Sequence, residues 1–248
     1  MGIFAEELSA CAALVQIGPA RQSFWALHLR GSALRQRTRL LPRRREVLLS
    51  PAGGGSPGRL RIADLGVALE VELDEQPGIV ALCPDGRGEV WTRKQAGVPA
   101  RGTLSIDGSA ARPLQALAVI DDTSGHHARV TEWRWSAGVG QALDGAAVAW
   151  NLVSGINDPA CGSERAVWVS GMPHEVPPVS FAEDLESITA AEGSLLRFTP
   201  EAERARRESL LILSSDYRAP FGSFSGALPG PIELAWGRGV MEHHRARW

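Results

Sequence analysis

The sequence predicts an all-β protein made of antiparallel sheets, and two observations lead to this prediction. The 27 glycines and 16 prolines divide the chain into short strand-like segments, a pattern typical of antiparallel sandwiches and barrels. Between Thr131 and Trp168, Trp133 and Trp135 alternate with charged and polar residues. This period of two is the signature of a strand with one buried face.

A β-hairpin is predicted around Asp144-Gly145, because an Asp-Gly pair between alternating segments is a strong turn signal. We place Leu143 opposite Ala146 in this hairpin. This register puts Trp135 and Trp150 on one face, with both indoles largely buried. The polar side chains on the other face are then Arg134, Ser136 and Asn151.

Other strand-like segments recur along the chain, separated by turn residues. They span residues 22–30, 46–50, 59–64, 67–74, 78–83, 89–94, 102–107, 113–121, 183–191, 194–198, 209–213, 232–236 and 239–248. Residues 50–58 are interpreted as a long hairpin loop rather than as a linker. Two segments are exceptions. Residues 1–13 form a short helix or a loose lead-in, and Thr199-Pro200 resembles a helix N-cap before one or two helical turns at 201–208.

Composition and charge exclude several classes of partner. The net charge is −2, so no global field attracts nucleic acid. Six arginines between positions 35 and 45 lack interleaved aromatics and are interpreted as a solvated, positively charged sheet edge. Lys94 is the only lysine, which indicates the arginine bias of a GC-rich, bacterial genome. We expect no nucleic-acid partner.

Cysteine usage and hydropathy predict a cytoplasmic protein. The scattered Cys11, Cys83 and Cys161 make neither a C-x-x-C pair nor a disulfide framework. No apolar run approaches the ~18 residues that span a bilayer, and the first residues lack the basic region of a signal peptide. We therefore expect no disulfide and no stable membrane insertion; the sequence does not indicate the oligomeric state.

Glu164 is the first candidate for catalysis. It follows the glycine-bounded segment 155–162 and precedes Arg165. Inside an apolar barrel its pKa would rise, which suits a general acid. The alternative interpretation is a structural ion pair at a strand end.

Glu242 and His244 are further candidates in the closing strand. Val240, Glu242, His244, Ala246 and Trp248 share the more apolar face by parity. A buried carboxylate must be paired or hydrogen-bonded. We expect Glu242 to be buried with His244 or an arginine as its partner, either as a proton relay or as a core hydrogen bond.

Five residues are candidates for ligand binding, and none indicates a cofactor. They are Trp135, Asn151, Arg134, His126 and Phe224. His126 and His127 lie near Asp121 and could serve a metal or a proton shuttle, but adjacent strand residues face opposite sides, so we expect no metal site. The nucleophile-elbow, phosphate-loop and dinucleotide motifs are absent.

A family resemblance rests on a series of short motifs in the second half of the chain. They are Ile120-Asp121-Asp122, Gly125-His126-His127, Trp133-Arg134-Trp135-Ser136-Ala137-Gly138, Asn151-Leu152, Gly155-Ile156-Asn157-Asp158, Ser163-Glu164-Arg165, Leu196-Arg197-Phe198, Ser215-Asp216-Tyr217-Arg218, Pro220-Phe221-Gly222-Ser223-Phe224-Ser225-Gly226 and Gly239-Val240-Met241-Glu242-His243-His244. Together they resemble the domain-of-unknown-function family 2804. The N-terminal third resembles it only loosely.

The resemblance implies a fold and a class of ligand but no reaction. The family is distantly similar to double-calycin proteins, which include carotenoid hydratases and lipocalin-like pericyclases. This implies two lipocalin-like antiparallel β-barrel halves, 1–115 and 116–248, with the N-terminal one short. The expected partner is a small hydrophobic or amphipathic molecule. The function is that of a binding protein or, alternatively, of a cofactor-independent hydratase, cyclase or isomerase that uses acid–base chemistry.

Overall fold

Every regular element in the described part of the chain is a β-strand. The computed structural model describes residues 1–43, 45–86, 88–209 and 214–247, and within these ranges nineteen strands form two antiparallel sheets. The predicted all-β class is confirmed. Arg44, Trp248 and most of the predicted strand 209–213 lie outside the described residues.

The first sheet contains ten strands from the first half of the chain. They are β1 (Gly2–Ala5), β2 (Leu8–Ile17), β3 (Ala20–Leu29), β4 (Arg35–Arg39), β5 (Val47–Ser50), β6 (Gly58–Asp64), β7 (Val67–Leu73), β8 (Ile79–Asp85), β9 (Gly88–Ile106) and β10 (Arg112–Gly125). Their order is β4-β3-β2-β1-β10-β9-β7-β6-β5, and β8 pairs with β9.

The second sheet contains nine strands. They are β11 (Val130–Ala142), β12 (Ala147–Ser154), β13 (Ala166–Val169), β14 (Met172–Glu175), β15 (Val179–Phe181), β16 (Ser187–Ala190), β17 (Leu195–Ser209), β18 (Ser214–Leu228) and β19 (Ile232–Arg247). Their order is β14-β13-β12-β11-β19-β18-β17-β16-β15. The long strands β11 and β19 therefore lie side by side at its centre.

The chain packs as two compact units that interleave in sequence. The first unit contains residues Met1–Gln76 and Val98–Ala118, and the second contains Pro77–Gly97 and Val119–Trp248. The second unit thus combines the nine-stranded sheet with β8, the first half of β9 and the end of β10. The division of the chain at residue 115 into two barrel halves stays a prediction.

The first unit follows the alternation of its sequence. In β7, Val67, Leu69, Val71 and Leu73 are buried and the intervening residues are exposed, as expected for a sheet with one covered face. Residues 50–58 form the predicted hairpin loop, because β5 and β6 pair across it. The arginines of β4 lie on the terminal strand of the sheet, as predicted, but they are partly buried and ion-paired rather than solvated; Arg35, for example, pairs with Asp107.

The second unit buries one face of its nine-stranded sheet in an apolar cluster. Trp150 is completely buried, and its ring meets the Phe224 ring edge-on with 4.9 Å between centroids. Phe224 also packs against Phe198, with 4.7 Å between ring centroids. Phe224 was predicted to bind a ligand, but it belongs to this packed core.

The predicted hairpin is present, but its register differs by one residue. Ala142 and Ala146 close a three-residue loop, in which Gly145 has a φ of +89°. Such loops place their last residue in the left-handed region. Trp150 therefore pairs with Gly138, and Trp135 pairs with Val153. Since a shift of one residue moves side chains to the opposite face, the prediction that Trp135 and Trp150 share a face is wrong.

Two helical predictions are also wrong. Residues 1–13 form β1 and most of β2, whose buried residues pack in the first unit. Residues 201–208 lie within β17, where the register shifts next to Pro200. Proline is tolerated at such bulges, and cross-strand partners stabilise the arginines that follow. Arg207 lies opposite Asp216, with 2.5 Å between nitrogen and oxygen.

Candidate functional site

The face of the nine-stranded sheet opposite the apolar cluster carries most of the predicted site residues. We call it the polar face and define it by Trp133, Trp135, Asn151, Glu242 and His244. In the observed register Trp135 lies opposite Glu242, and Trp133 lies opposite His244. Because directly opposed residues share a face, these side chains are neighbours. Asn151 joins them through its pairing with Ala137 of β11.

A buried ion cluster formed by Lys94, Asp121 and Glu164 adjoins the polar face. Lys94 Nζ lies 2.7 Å from Asp121 Oδ2 and 3.4 Å from Glu164 Oε1, and only 4% of the lysine side chain is accessible. Burial by itself lowers the pKa of Lys94, but the two carboxylates outweigh it and the pKa is raised. Lys94 is therefore charged.

The two carboxyl groups of the cluster are not equivalent. Burial raises the pKa of Asp121, but the charge of Lys94 and hydrogen bonds from Lys94 and Thr123 outweigh burial, so that the pKa is lowered. Burial is also the largest influence on Glu164, and the charge of Asp121 adds to it, so that the Glu164 pKa is raised. A single lysine beside two carboxyls thus favours ionisation of Asp121 first.

Hydrogen bonds tie this cluster to the polar face. Trp135 Nε1 donates to Asn151 Oδ1 at 2.8 Å, and Asn151 Nδ2 donates to the Glu164 carbonyl at 2.7 Å. Asn157 donates to the Glu164 carboxyl at 3.1 Å. Lys94 Nζ also lies 5.9 Å from the Trp135 ring centroid, within the range of cation–π attraction.

Glu242 is held by two aromatic donors. Trp133 Nε1 donates to Glu242 Oε1 at 2.8 Å, and Tyr217 hydrogen-bonds to the same carboxyl. Burial raises the pKa of Glu242 to about 7, which these hydrogen bonds only partly offset. The expected hydrogen-bonded carboxylate is present, but it is half-buried, and the prediction of His244 or an arginine as its partner is wrong.

His244 lies beside Glu242 without forming an ion pair. Its ring centroid is 4.4 Å from that of Trp133 and 5.3 Å from that of Tyr217. Its Nε2 is 2.8 Å from the Ser215 hydroxyl. Burial lowers the His244 pKa to about 4, so the imidazole is neutral near pH 7. It adds a flat, uncharged ring beside Trp133 and Tyr217.

Three of these ionisable groups are desolvated and yet accessible. Burial is the largest influence on the pKa of Asp121, Glu242 and His244. Nevertheless 36% of the Asp121 side chain is accessible, and the other two side chains are half-buried. That combination is typical of binding and catalytic sites.

Not every predicted residue lies at this site. Trp135, Asn151, Glu164, Glu242 and His244 come together. Arg134 lies two residues before Ser136 on β11, so by strand alternation the two side chains share a face. Trp150 of β12 lies on this same face, where its indole donates a hydrogen bond to the Ser136 hydroxyl. His126 lines a shallow depression of about 600 Å³ with Leu82, Trp91 and Ser124.

Sequence reasoning missed Lys94, Trp133 and Tyr217 as site residues, and it considered Asp121 only as a neighbour of His126 and His127. One feature of the sequence could have indicated that Lys94 is buried. By strand alternation it lies on the same face of β9 as the apolar Val90, Ala96 and Val98. Nothing in the sequence placed Tyr217 against Glu242, because that contact depends on the pairing of β18 with β19.

The cysteines and histidines form no obvious metal centre. Cys11, Cys83 and Cys161 are not joined in disulfides. His127 Nδ1 lies 3.2 Å from Asp85. Within the described ranges, no group of three or more histidine, cysteine or acidic side chains is placed to hold a metal ion, and no helix there is long and apolar enough to cross a membrane.

Solved structures show which class of fold these sheets define. A protein described as an AttH from Nitrosomonas europaea superposes with a TM-score of 0.59 at 14% identity, covering 95% of this chain and 86% of that one. Kievitone hydratase from Nectria haematococca gives 0.58 at 12% identity, covering 95% and 83%. CghA gives 0.50 at 8% identity, covering 99% and 86%.

The fold is therefore that of the double-calycin proteins, as the sequence resemblance implied. The chain belongs to the family described as Domain of unknown function (DUF2804), whose sequence profile matches residues 58–248. Among curated proteins, no sequence matches the chain at a significant level.

Proposed function

We propose that the protein binds a small hydrophobic or amphipathic molecule at the polar face and transfers a proton to or from it. In this role it is a cofactor-independent hydratase, cyclase or isomerase. The observation that carries the proposal is Glu242, a half-buried carboxyl whose pKa lies at about 7. Proton transfer is most efficient when the pKa of the acid lies near the working pH.

The surroundings of Glu242 suit this role. Trp133, Tyr217 and the neutral His244 supply flat aromatic surfaces around the carboxyl. Such surfaces bind apolar molecules, while the carboxyl fixes their orientation. The two aromatic hydrogen bonds fix the orientation of the carboxyl.

The likeness to a hydratase supports the proposal only at the level of fold. Kievitone hydratase is a hydratase by its name, and at 12% identity it shares the architecture with this chain. A fold hosts carriers and enzymes alike. A carrier needs only shape and an apolar lining, whereas the desolvated carboxyl at this face would cost stability without benefit.

A deuterium-incorporation experiment tests the proposal. The purified protein is incubated in D₂O with a small-molecule extract of the cells from which the chain comes. The products are returned to H₂O, so that only carbon-bound deuterium persists, and are analysed by mass spectrometry. We expect a compound that gains carbon-bound deuterium with the wild-type protein and not with Glu242→Gln.

Glu233→Gln is the matched control, because Glu233 is an exposed glutamate on the same strand. It should behave as wild type. A compound that native mass spectrometry finds bound to the protein, but that emerges chemically unchanged and without deuterium, would identify a carrier and refute the catalytic proposal.

A further inference from the structure

Asp121 is the accessible end of the buried ion cluster. Lys94 and Glu164 each expose only 4% of their side chains, whereas Asp121 exposes 36%. Lys94 and Thr123 fix its orientation, because Lys94 Nζ binds Oδ2 at 2.7 Å and the Thr123 hydroxyl donates to Oδ1 at 2.8 Å. A carboxylate held in this way at the edge of a buried network can meet a bound molecule.

A chain of contacts connects Asp121 to Glu242. Lys94 links them, since it binds Asp121 and lies over Trp135, and Trp135 is the residue directly opposite Glu242. The charges of Asp121 and Lys94 both act on Glu242. Within the second unit, the charged groups that face Asp121 are Lys94, Glu164 and Glu242.

We propose that Asp121 is a second catalytic residue of this site, which accepts a proton while Glu242 donates one, and that Lys94 is a positioning residue for Asp121. This inference rests on the proposed acid–base function. It specifies a reaction in which one proton is added to the substrate and another is removed.

The step balances in protons and electrons. In an isomerisation, the Glu242 carboxyl gives its proton to one carbon of a double bond, while the Asp121 carboxylate removes a proton from the saturated carbon next to the other end. The electrons of the broken C–H bond form the new double bond, which is shifted by one position. In a hydration, the π-electron pair takes the Glu242 proton, the oxygen of a water molecule bonds to the second carbon, and Asp121 takes the proton that this water releases. Solvent then returns the proton from Asp121 to Glu242, so no oxidant or reductant is needed.

The environments of the two carboxyls agree with this assignment. Asp121 has a lowered pKa because Lys94 and Thr123 stabilise its charge, and Glu242 has a pKa of about 7 because it is buried. Two titratable groups whose pKa values are pushed apart can act as base and acid at one pH.

Asp121→Asn tests the catalytic role, with the D₂O extract assay as the readout. The amide keeps the shape but accepts no proton, so we expect deuterium incorporation to fall at least ~100-fold, the lower end of general-base contributions. Asp122→Asn is the matched control, since Asp122 is an exposed aspartate next in sequence, and it should keep the wild-type rate. An Asp121→Asn protein within about threefold of wild type overturns the inference.

The pH dependence of the same assay tests positioning by Lys94. We expect Lys94→Met to move the acidic limb of the rate profile to higher pH, because Asp121 loses its cation, and Lys94→Arg to restore it. Thr123→Val removes the other hydrogen bond to Asp121 and should move the acidic limb of the rate profile in the same direction. Because Thr123 is exposed, this variant tests the idea even if Lys94→Met does not fold. Unchanged limbs in the folded variants would overturn the positioning role.

The outcomes separate this inference from the proposed function. A wild-type protein that incorporates no deuterium in any compound refutes both. Loss of incorporation in Glu242→Gln with full incorporation in Asp121→Asn refutes only the role of Asp121.

Discussion

Glu242 and His244 occupy one face of β19 two residues apart, and burial affects them in opposite ways. It disfavours the charged form of each, which raises the pKa of the carboxyl to about 7 and lowers that of the imidazole to about 4. Near pH 6 both groups are therefore mostly uncharged, and neither needs an ionic partner. His244 is thus not the partner of Glu242, which hydrogen-bonds to Trp133 and Tyr217 instead.

The stability of the protein should depend on pH through Glu242. Between the pKa of an unfolded glutamate and about 7, the folded state binds more protons than the unfolded state, so stability falls as pH rises through this window. Glu242→Gln removes the effect. We expect its advantage over wild type to grow between pH 5 and 8, to the order of 2 kcal/mol after allowance for partial exposure. Thermal melts at several pH values measure it; parallel wild-type and variant curves would contradict it.

His244 should give the opposite slope. Its folded pKa of about 4 lies below the unfolded value, so the unfolded state binds more protons between pH 4 and 6.5, and stability is lost as pH falls. His244→Gln should therefore be less sensitive to acid than wild type in urea unfolding at pH 4.5 and 7. The exposed His174, changed to glutamine, is the control. Equal acid sensitivity of wild type and His244→Gln would show that His244 titrates normally.

The hairpin of β11 and β12 shows how one loop residue decides which side chains meet. A two-residue turn would place Trp135 and Trp150 together, whereas the observed three-residue loop moves Trp150 to the face of Gly138. The indole then covers the glycine. A Cβ at position 138 would lie 2.3 Å from Trp150 Cζ2 and 2.7 Å from the Arg238 carbonyl oxygen.

Two glycine substitutions in this hairpin test the register. Gly138→Ala should cost at least ~2 kcal/mol, because neither the packed indole nor the backbone of β19 can move away freely. Gly145→Ala meets no atom within 4 Å and should cost only about 1 kcal/mol, from its left-handed φ. Urea unfolding of both variants gives the comparison. Equal or reversed costs would mean that Trp150 does not lie over residue 138.

At the scale of the whole molecule, the site depends on strands from distant parts of the sequence. Lys94 comes from β9, Asp121 from β10, and Glu242 from β19. Residues 77–97 belong to the same compact unit as the nine-stranded sheet. The Pro77 carbonyl accepts a hydrogen bond from the buried Trp168 at 3.1 Å, and Lys94 Nζ lies 3.4 Å from Glu164 Oε1.

A fragment of residues 119–248 should therefore not fold by itself. It lacks Lys94, the ion-pair partner of both Asp121 and the buried Glu164, and removal of one partner from a buried ion pair costs several kcal/mol. It also lacks the apolar strand residues that β8 and β9 contribute. We expect no cooperative thermal transition by circular dichroism, whereas the full chain melts cooperatively. A sharp transition of the fragment would show that the C-terminal sheet is an independent domain.

The sequence alone determined the strand class, the family and the presence of the central hairpin. Period-2 alternation and turn residues are local properties of the sequence, so they can be recognised without knowledge of the rest of the fold. The same logic placed Glu242 and His244 on one face of the closing strand. It failed for residues 201–208, where local helix signals compete with cross-strand pairs such as Arg207 with Asp216.

Tertiary structure decided which polar groups meet. The sequence does not specify that β11 lies between β12 and β19, and this arrangement brings Trp133 to Glu242 and Asn151 to Trp135. Nor does it specify that Lys94 reaches a glutamate 70 residues later. Strand alternation assigns a side chain to a face, but long-range strand pairing decides what lies opposite, and desolvation, which sets the charge state of Glu242, exists only once those strands are assembled.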